Sequence, residues 1–165
     1  MRGAALSLAI AALALSACSS SNDGSGSTTG DGGGVPDPSD SYGPARVTCV
    51  DEINRYRATL GLAPYAGWTS AGACADGQSK SDSESGKAHG AFGKCGEFAQ
   101  NECPGWPGPP DALIKGCLKM MWDEGPGDFA AHGHYVNMSS TKYTSVACGF
   151  YQTPGGSFWA VQDFK

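Results

Sequence analysis

The sequence is poor in charge and poorer still in catalytic signatures. No basic stripe or interleaving of basic and aromatic side chains occurs, which excludes a nucleic-acid surface. No His-Glu-x-x-His pattern, Gly-x-Ser-x-Gly elbow or catalytic-cysteine context is present, so the common hydrolase motifs are missing. Cys-x-x-Cys is absent as well, which argues against a thiolate zinc cluster or a redox pair. There is no internal repeat, and no apolar run is long enough to cross a bilayer as a helix.

What the chain does have begins at its N-terminus. Arg2 precedes an apolar run over residues 4–15, the size of a signal-peptide core, so residues 1–17 read as an export signal. The run ends in Leu15-Ser16-Ala17-Cys18, which resembles the lipobox of bacterial lipoproteins, whose cysteine becomes the lipid-bearing first residue. Ordinary cleavage beside an incidental cysteine is the alternative. Acyl chains on Cys18 would tether the protein to a membrane, each buried methylene adding roughly 0.8 kcal/mol. Ser19, where an aspartate would retain the protein, points to the outer membrane or surface of a bacterial envelope. Residues 18–43 are Ser, Gly, Asp, Thr and Pro with almost nothing apolar, the composition of a flexible tether.

Seven cysteines are an odd number, and giving Cys18 to the lipid leaves Cys49, Cys74, Cys95, Cys103, Cys117 and Cys148. An even set in an exported chain predicts three disulfides. Spacing selects no connectivity, although Cys95 with Cys103 is the nearest local pairing. The net charge of −5 comes mostly from the tether: from Arg46 onward ten basic residues face twelve acidic ones, so the domain is nearly neutral.

Residues 44–165 form the predicted domain. Pro44 suits a first helical turn, and Val47, Val50, Ile53, Asn54, Arg57 and Leu60 recur at helical spacing, predicting a helix over 45–60. Thr69 or Ser70 caps a second helix to residue 82, with Ala71, Cys74, Ala75 and Gln78 inward. Residues 83–110 are rich in Gly, Pro and Cys and read as a long irregular connection pinned by disulfides, carrying His89 and Glu97. A third helix follows over 112–123. Alternation over 142–152, a Thr153-Pro154-Gly155-Gly156 turn and a second run over 157–164 predict a closing hairpin.

Ile53-Asn54-Arg55-Tyr56-Arg57, Gly61-Leu62-Ala63-Pro64-Tyr65, Ala88-His89, Gly96-Glu97, Trp122-Asp123-Glu124, Gly133-His134-Tyr135 and a Cys148-Gly149-Phe150-Tyr151 strand occur in that order. Together they resemble the CAP superfamily of cysteine-rich secretory, antigen 5 and pathogenesis-related-1 proteins. The resemblance implies an α+β fold, an α-β-α sandwich with a small antiparallel sheet between helical layers. It departs from the family at Gly96-Glu97-Phe98, where Gly-Glu-Asn is usual, and after Tyr135, where Asn137 is available for a polar role.

The resemblance also implies a cleft lined by His89, Glu97, Glu124 and His134. There the imidazoles would bind zinc or another divalent ion, with the two carboxylates as further ligands or as hydrogen-bonding partners. A polar cluster without metal is the other reading of the same four residues. His132 reads as an exposed loop residue or a substitute ligand, pointing the same way as His134 on extended backbone. Trp122 reads as core, and Trp106 as either a binding aromatic or a core plug. The function expected is binding of a ligand or partner, a lipid or a protein, by an exported, lipid-anchored domain. The alternatives are a metal-dependent hydrolase of peptides or esters using the same cleft, and a passive surface protein.

Overall fold

The computed structural model describes residues 39–165; the signal, the lipobox with Cys18 and most of the tether lie outside the described residues. Four α-helices and four strands follow in the order α1 (Gly43–Thr59), β1 (Ala66–Gly67), α2 (Gly72–Ser85), β2 (Ala99–Pro107), α3 (Pro110–Asp123), α4 (Phe129–Ser139), β3 (Ser145–Gln152) and β4 (Ser157–Phe164), with a 3-10 turn Thr69–Ala71 leading into α2. The strands lie in the order β1-β3-β4-β2. The three long strands are antiparallel, and the two-residue β1 joins the edge in parallel, so the sheet is mixed rather than purely antiparallel.

Alternation along the strands sorts the core into two layers. Val146, Cys148 and Phe150 of β3 with Phe158, Ala160 and Phe164 of β4 pack on Ile53 of α1 and on Leu113, Ile114, Leu118 and Met121 of α3. On the other face Ala147 and Val161 meet Ala71 and Ala75 at the start of α2. The result is the α-β-α sandwich that the family resemblance implies.

Two of the expected boundaries change. The connection expected over 83–110 contains β2, which pairs with β4 from Ala99↔Phe164 to Pro107↔Ser157 around an irregularity between Cys103 and Trp106. The segment holding His132 and His134 is helical, not extended: α4 is capped by Asp128, whose Oδ1 accepts from the backbone of Ala130 and Ala131, and it departs from helical geometry only at His132.

The disulfides are Cys49–Cys148, Cys74–Cys95 and Cys103–Cys117. They tie α1 to β3, α2 to the loop after it, and β2 to α3. The local pairing of Cys95 with Cys103 does not form, because Cys103 turns from β2 into the α3 layer while Cys95 lies against α2. By loop-closure entropy each bridge restricts the unfolded chain by roughly 3–5 kcal/mol.

Arg57 fixes where α4 ends. Its guanidinium is buried, donates to the carbonyls of Ala63, Met138 and Ser140, and lies 3.5 Å from the centre of the Tyr65 ring. At the sheet edge Arg46 donates to Cys148 O and to Asp76, while Asp76 Oδ1 accepts from Phe150 N. An ion pair thereby occupies backbone groups of β3 that would otherwise invite another strand.

Gly149 sets the distance between α2 and the sheet: a Cβ there would lie 2.2 Å from the carbonyl carbon of Ala75. Gly149→Ala is expected to force helix and sheet apart and to lower stability by about 1–3 kcal/mol or more. Urea denaturation of the two proteins checks this, with a fall in midpoint at unchanged slope as the expected result.

Candidate functional site

Three of the four expected residues line one cleft. His89, Glu124 and His134 surround a cavity of about 220 Å³ together with Gln100, Asn101, Phe129, Ala130, Ala131, Gly133 and Asn137. Glu97 does not line it. Its carboxylate is buried under the loop that carries His89, accepting from Gly93 N, from Cys95 N at 3.0 Å and from Gln78 Nε2 at 2.6 Å. Glu97 therefore shapes the loop, and the side chain beside His89 is Gln100.

The loop holds His89 under constraint. The residue takes a left-handed backbone conformation, φ 59°, unusual for a non-glycine residue. Its N–H donates to Glu102 Oε2 at 2.6 Å and its ring Nδ1 lies 2.9 Å from Gln100 Oε1. Opposite, His134 Nδ1 lies against Glu124 Oε1, and the other Glu124 oxygen accepts from the backbone N–H groups of His134 and Tyr135. Asn101 and Asn137 brace the floor: Asn101 Nδ2 donates to His134 O at 3.1 Å, and Asn137 Nδ2 donates to Asn101 Oδ1 at 2.9 Å. The polar role open to Asn137 is thus a positioning one within the cleft.

His132 is a strut. Its Nδ1 donates to Glu124 O at 2.6 Å and Gly125 O at 3.1 Å, tying the end of α3 to the start of α4. Trp122 stacks on Tyr56 and meets Tyr135 at a tilt, with ring centres 5.1 and 4.6 Å away, and Trp106 packs against the core beside Gly116 of α3. Trp106 therefore serves the core.

A second groove adjoins the first. About 400 Å³ is bounded by Phe92, Phe98, Ala99 and Tyr143 together with His89, Gln100, Phe129 and Asn137, the last four shared with the histidine cleft. Phe92, Phe98 and Phe129 are 48%, 68% and 65% exposed, so three phenylalanines stand at its rim without burying their rings. Reading residue by residue overlooked this groove and Gln100. One signal for Gln100 was present: the asparagine missing after Glu97 occurs three residues on, in Ala99-Gln100-Asn101, and both polar side chains line the cleft.

For a divalent ion the donor set is incomplete. Among the described residues, the one group of three His, Cys, Asp or Glu side chains whose ligand atoms lie within 4.8 Å of one another is Cys95, Glu97 and Asp163. Cys95 is there in a disulfide and has no thiolate to offer. His89 and His134 present imidazole nitrogens, but the Glu124 carboxylate already accepts three N–H groups and Glu97 is elsewhere. A four-ligand zinc site does not fit these residues.

Beneath the cleft, between α2 and the sheet, lie the buried side chains of Ser79, Asp82, Glu102 and Asp163. Among the described residues, Glu102 Oε1, Asp163 Oδ2 and Ser79 Oγ have no hydrogen-bond partner. Burial pushes the Glu102 and Asp163 carboxyls up to about 7, with Asp82 among the neighbouring carboxylates that add to the rise, and raises Asp82 itself.

This is a disulfide-bonded α-β-α sandwich with a polar cleft of two imidazoles opening into an aromatic groove. Across known families, that of the cysteine-rich secretory proteins, CAP, matches residues 50–164. The chain belongs to the CAP family. No curated protein matches it. Among solved structures it is similar to the crystal structure of Na-ASP-1, at 14% identity and a TM-score of 0.49, over 72% of this chain and 38% of that one. It therefore spans well under half of that protein's length. Three disulfides are the pattern of a chain that folds in an oxidising compartment.

Because folding raises the carboxyl pKa of Asp163 from 3.8 to about 7, the protonated form is favoured in the folded state. The stability this contributes is complete below pH 4 and is lost as pH rises through 7. Stability is expected to fall by on the order of 2 kcal/mol between pH 5 and pH 8. Asp163→Asn should flatten that slope, as measured by urea denaturation across the range.

Proposed function

We propose that this chain is an exported binding protein that takes a small amphiphilic molecule in the double groove, with the head at the histidine cleft and the tail against the phenylalanines. The observation that carries the reading is the continuity of the two cavities through His89, Gln100, Phe129 and Asn137. The larger groove, about 400 Å³, is within the roughly 300–1,000 Å³ common for small-ligand sites, and the cleft of about 220 Å³ extends it. Exposed rings at the rim of a groove are the usual signature of a surface that a ligand covers. A lipid on Cys18 and the tether behind it would hold the domain near a bacterial envelope membrane, a source of amphiphiles.

Monodecanoyl glycerol, titrated calorimetrically into the purified protein, tests this reading. Micromolar binding is expected, weakened about tenfold in Phe98→Ser with Phe129→Ser, which removes about 1.4 kcal/mol or more of ring contact. Both rings are exposed, so the double variant should keep the wild-type melting curve. No binding by the wild type, or hydrolysis of the probe that Glu124→Gln and chelation both abolish, would favour other functions.

Zinc gives a separate measurement. With His89 and His134 as the remaining donors, a chelator-treated and repleted sample is expected to hold zinc more weakly than about micromolar, well short of a complete four-ligand site. Stoichiometric retention through gel filtration, lost in His89→Ala, would restore the metal reading.

A further inference from the structure

The three disulfides differ in what covers them. Cys49, Cys148, Cys103 and Cys117 are 0%, 2%, 0% and 4% exposed, so their two bridges are sealed inside the core. Cys74 is exposed and Cys95 half-buried, so the third bridge lies at the surface. Thiol–disulfide exchange needs a thiolate to reach a sulfur, and access is one of the things that set its rate. Of the three bridges, Cys74–Cys95 offers that access.

The same bridge holds the segment that carries His89. Of residues 86–97, Ala91 and Glu97 alone are buried, so the loop has almost no core of its own. Its further ties are hydrogen bonds, among them Gln78 Nε2 to Ala91 O at 3.1 Å and to Glu97 Oε1 at 2.6 Å, and His89 N to Glu102 Oε2. Cys74 and Gln78 are four residues apart on α2 and share a face of it, so the bridge keeps the loop within reach of the amide. In this setting His89 keeps its left-handed backbone, φ 59°, a conformation that a non-glycine residue holds only where its surroundings impose it.

We infer that Cys74–Cys95 is a redox switch for the cleft: a dithiol from solution opens it, the loop of residues 86–97 comes away from α2, and His89 leaves the cleft wall while the rest of the domain stays folded. A thiolate of the reductant bonds to Cys74 Sγ, and the Cys74–Cys95 bond breaks with its electron pair going to Cys95 Sγ, which takes a proton from solvent. The reductant's second thiol, deprotonated, attacks the reductant sulfur of the mixed disulfide, which leaves Cys74 as a thiol and the reductant as a cyclic disulfide. Two electrons and two protons thereby pass from the dithiol to the bridge. Cys95 Sγ lies within 4.8 Å of carboxyl oxygens of Glu97 and Asp163, surroundings that hold the freed group as a thiol and slow its return to the disulfide. The switch requires that His89 line the cleft, and not that the cleft bind an amphiphile.

Titration of the folded protein with dithiothreitol, followed by N-ethylmaleimide capture and peptide mass mapping, reads each bridge separately. Cys74 and Cys95 are expected to be labelled at least about tenfold faster than the other four cysteines. In protein held reduced, amide hydrogen exchange is expected to rise about tenfold or more over residues 86–97 and to stay unchanged in β3 and β4. The ring signals of His89, assigned through His89→Gln, should move to the positions of an unstructured histidine, and oxidised glutathione should restore both readouts.

Labelling of Cys49 and Cys148, or of Cys103 and Cys117, as fast as that of Cys74 and Cys95 would overturn the inference. So would a loop whose exchange and His89 signals are unchanged by reduction, or faster exchange across the whole domain, since the bridge would then hold nothing or hold the entire fold. Each of these measurements uses the native chain, so none depends on a cysteine variant that folds.

Discussion

The amide of Gln78 joins the three parts of the molecule that have to meet at the cleft. It comes from α2, holds the loop through Ala91 and Glu97, and reaches the sheet through Gln100. An amide-to-amide bond of 2.9 Å tolerates little separation, so it depends on how closely the helix approaches the strands. That approach exists because Ala75 meets Gly149 with no side chain between them. A methyl group at the far end of this contact would be felt at His89, through helix position, then Gln78, then Gln100.

The fold was largely legible because most of it obeys simple periodicities. The helices at Gly43–Thr59, Gly72–Ser85 and Pro110–Asp123 and the closing hairpin all fall close to the expected ranges. The strand that escaped notice, Ala99–Pro107, shows why. Its first five residues, Ala-Gln-Asn-Glu-Cys, are buried on both faces yet mostly polar, so neither alternation nor an apolar run marks them. Their polarity is matched by partners that no local pattern announces: Gln78 from α2, Asn137 and His134 from α4, Asp163 from β4. The α4 helix was hidden for a local reason, since Gly133 and the non-helical His132 interrupt it.

The site was legible in kind and displaced in detail. His89, Glu124 and His134 line one cavity, whereas the acid in Gly96-Glu97 is a loop organiser and a neutral amide takes the place beside His89. Both roles need a side chain with two acceptor atoms or an acceptor and a donor at that reach, and sequence spacing alone does not separate residues 97 and 100. Disulfide pairing shares this difficulty. The bridges run between layers, from helix to sheet or helix to loop, and which face a cysteine occupies decides its partner where spacing cannot.

The buried acids serve the same network of amides. The second hydrogen of Gln100 Nε2 requires an acceptor, and an apolar side chain in place of Asp163 would leave it buried and unpaired at a cost of about 1–3 kcal/mol. A carboxyl can accept it and, with burial raising Asp163 and Glu102 to about 7, can do so while carrying a proton of its own. Burial and the neighbouring carboxylates raise Asp163 together with Glu102, so the group that strand β2 needs as an acceptor is also one whose ionisation costs the fold stability as pH rises.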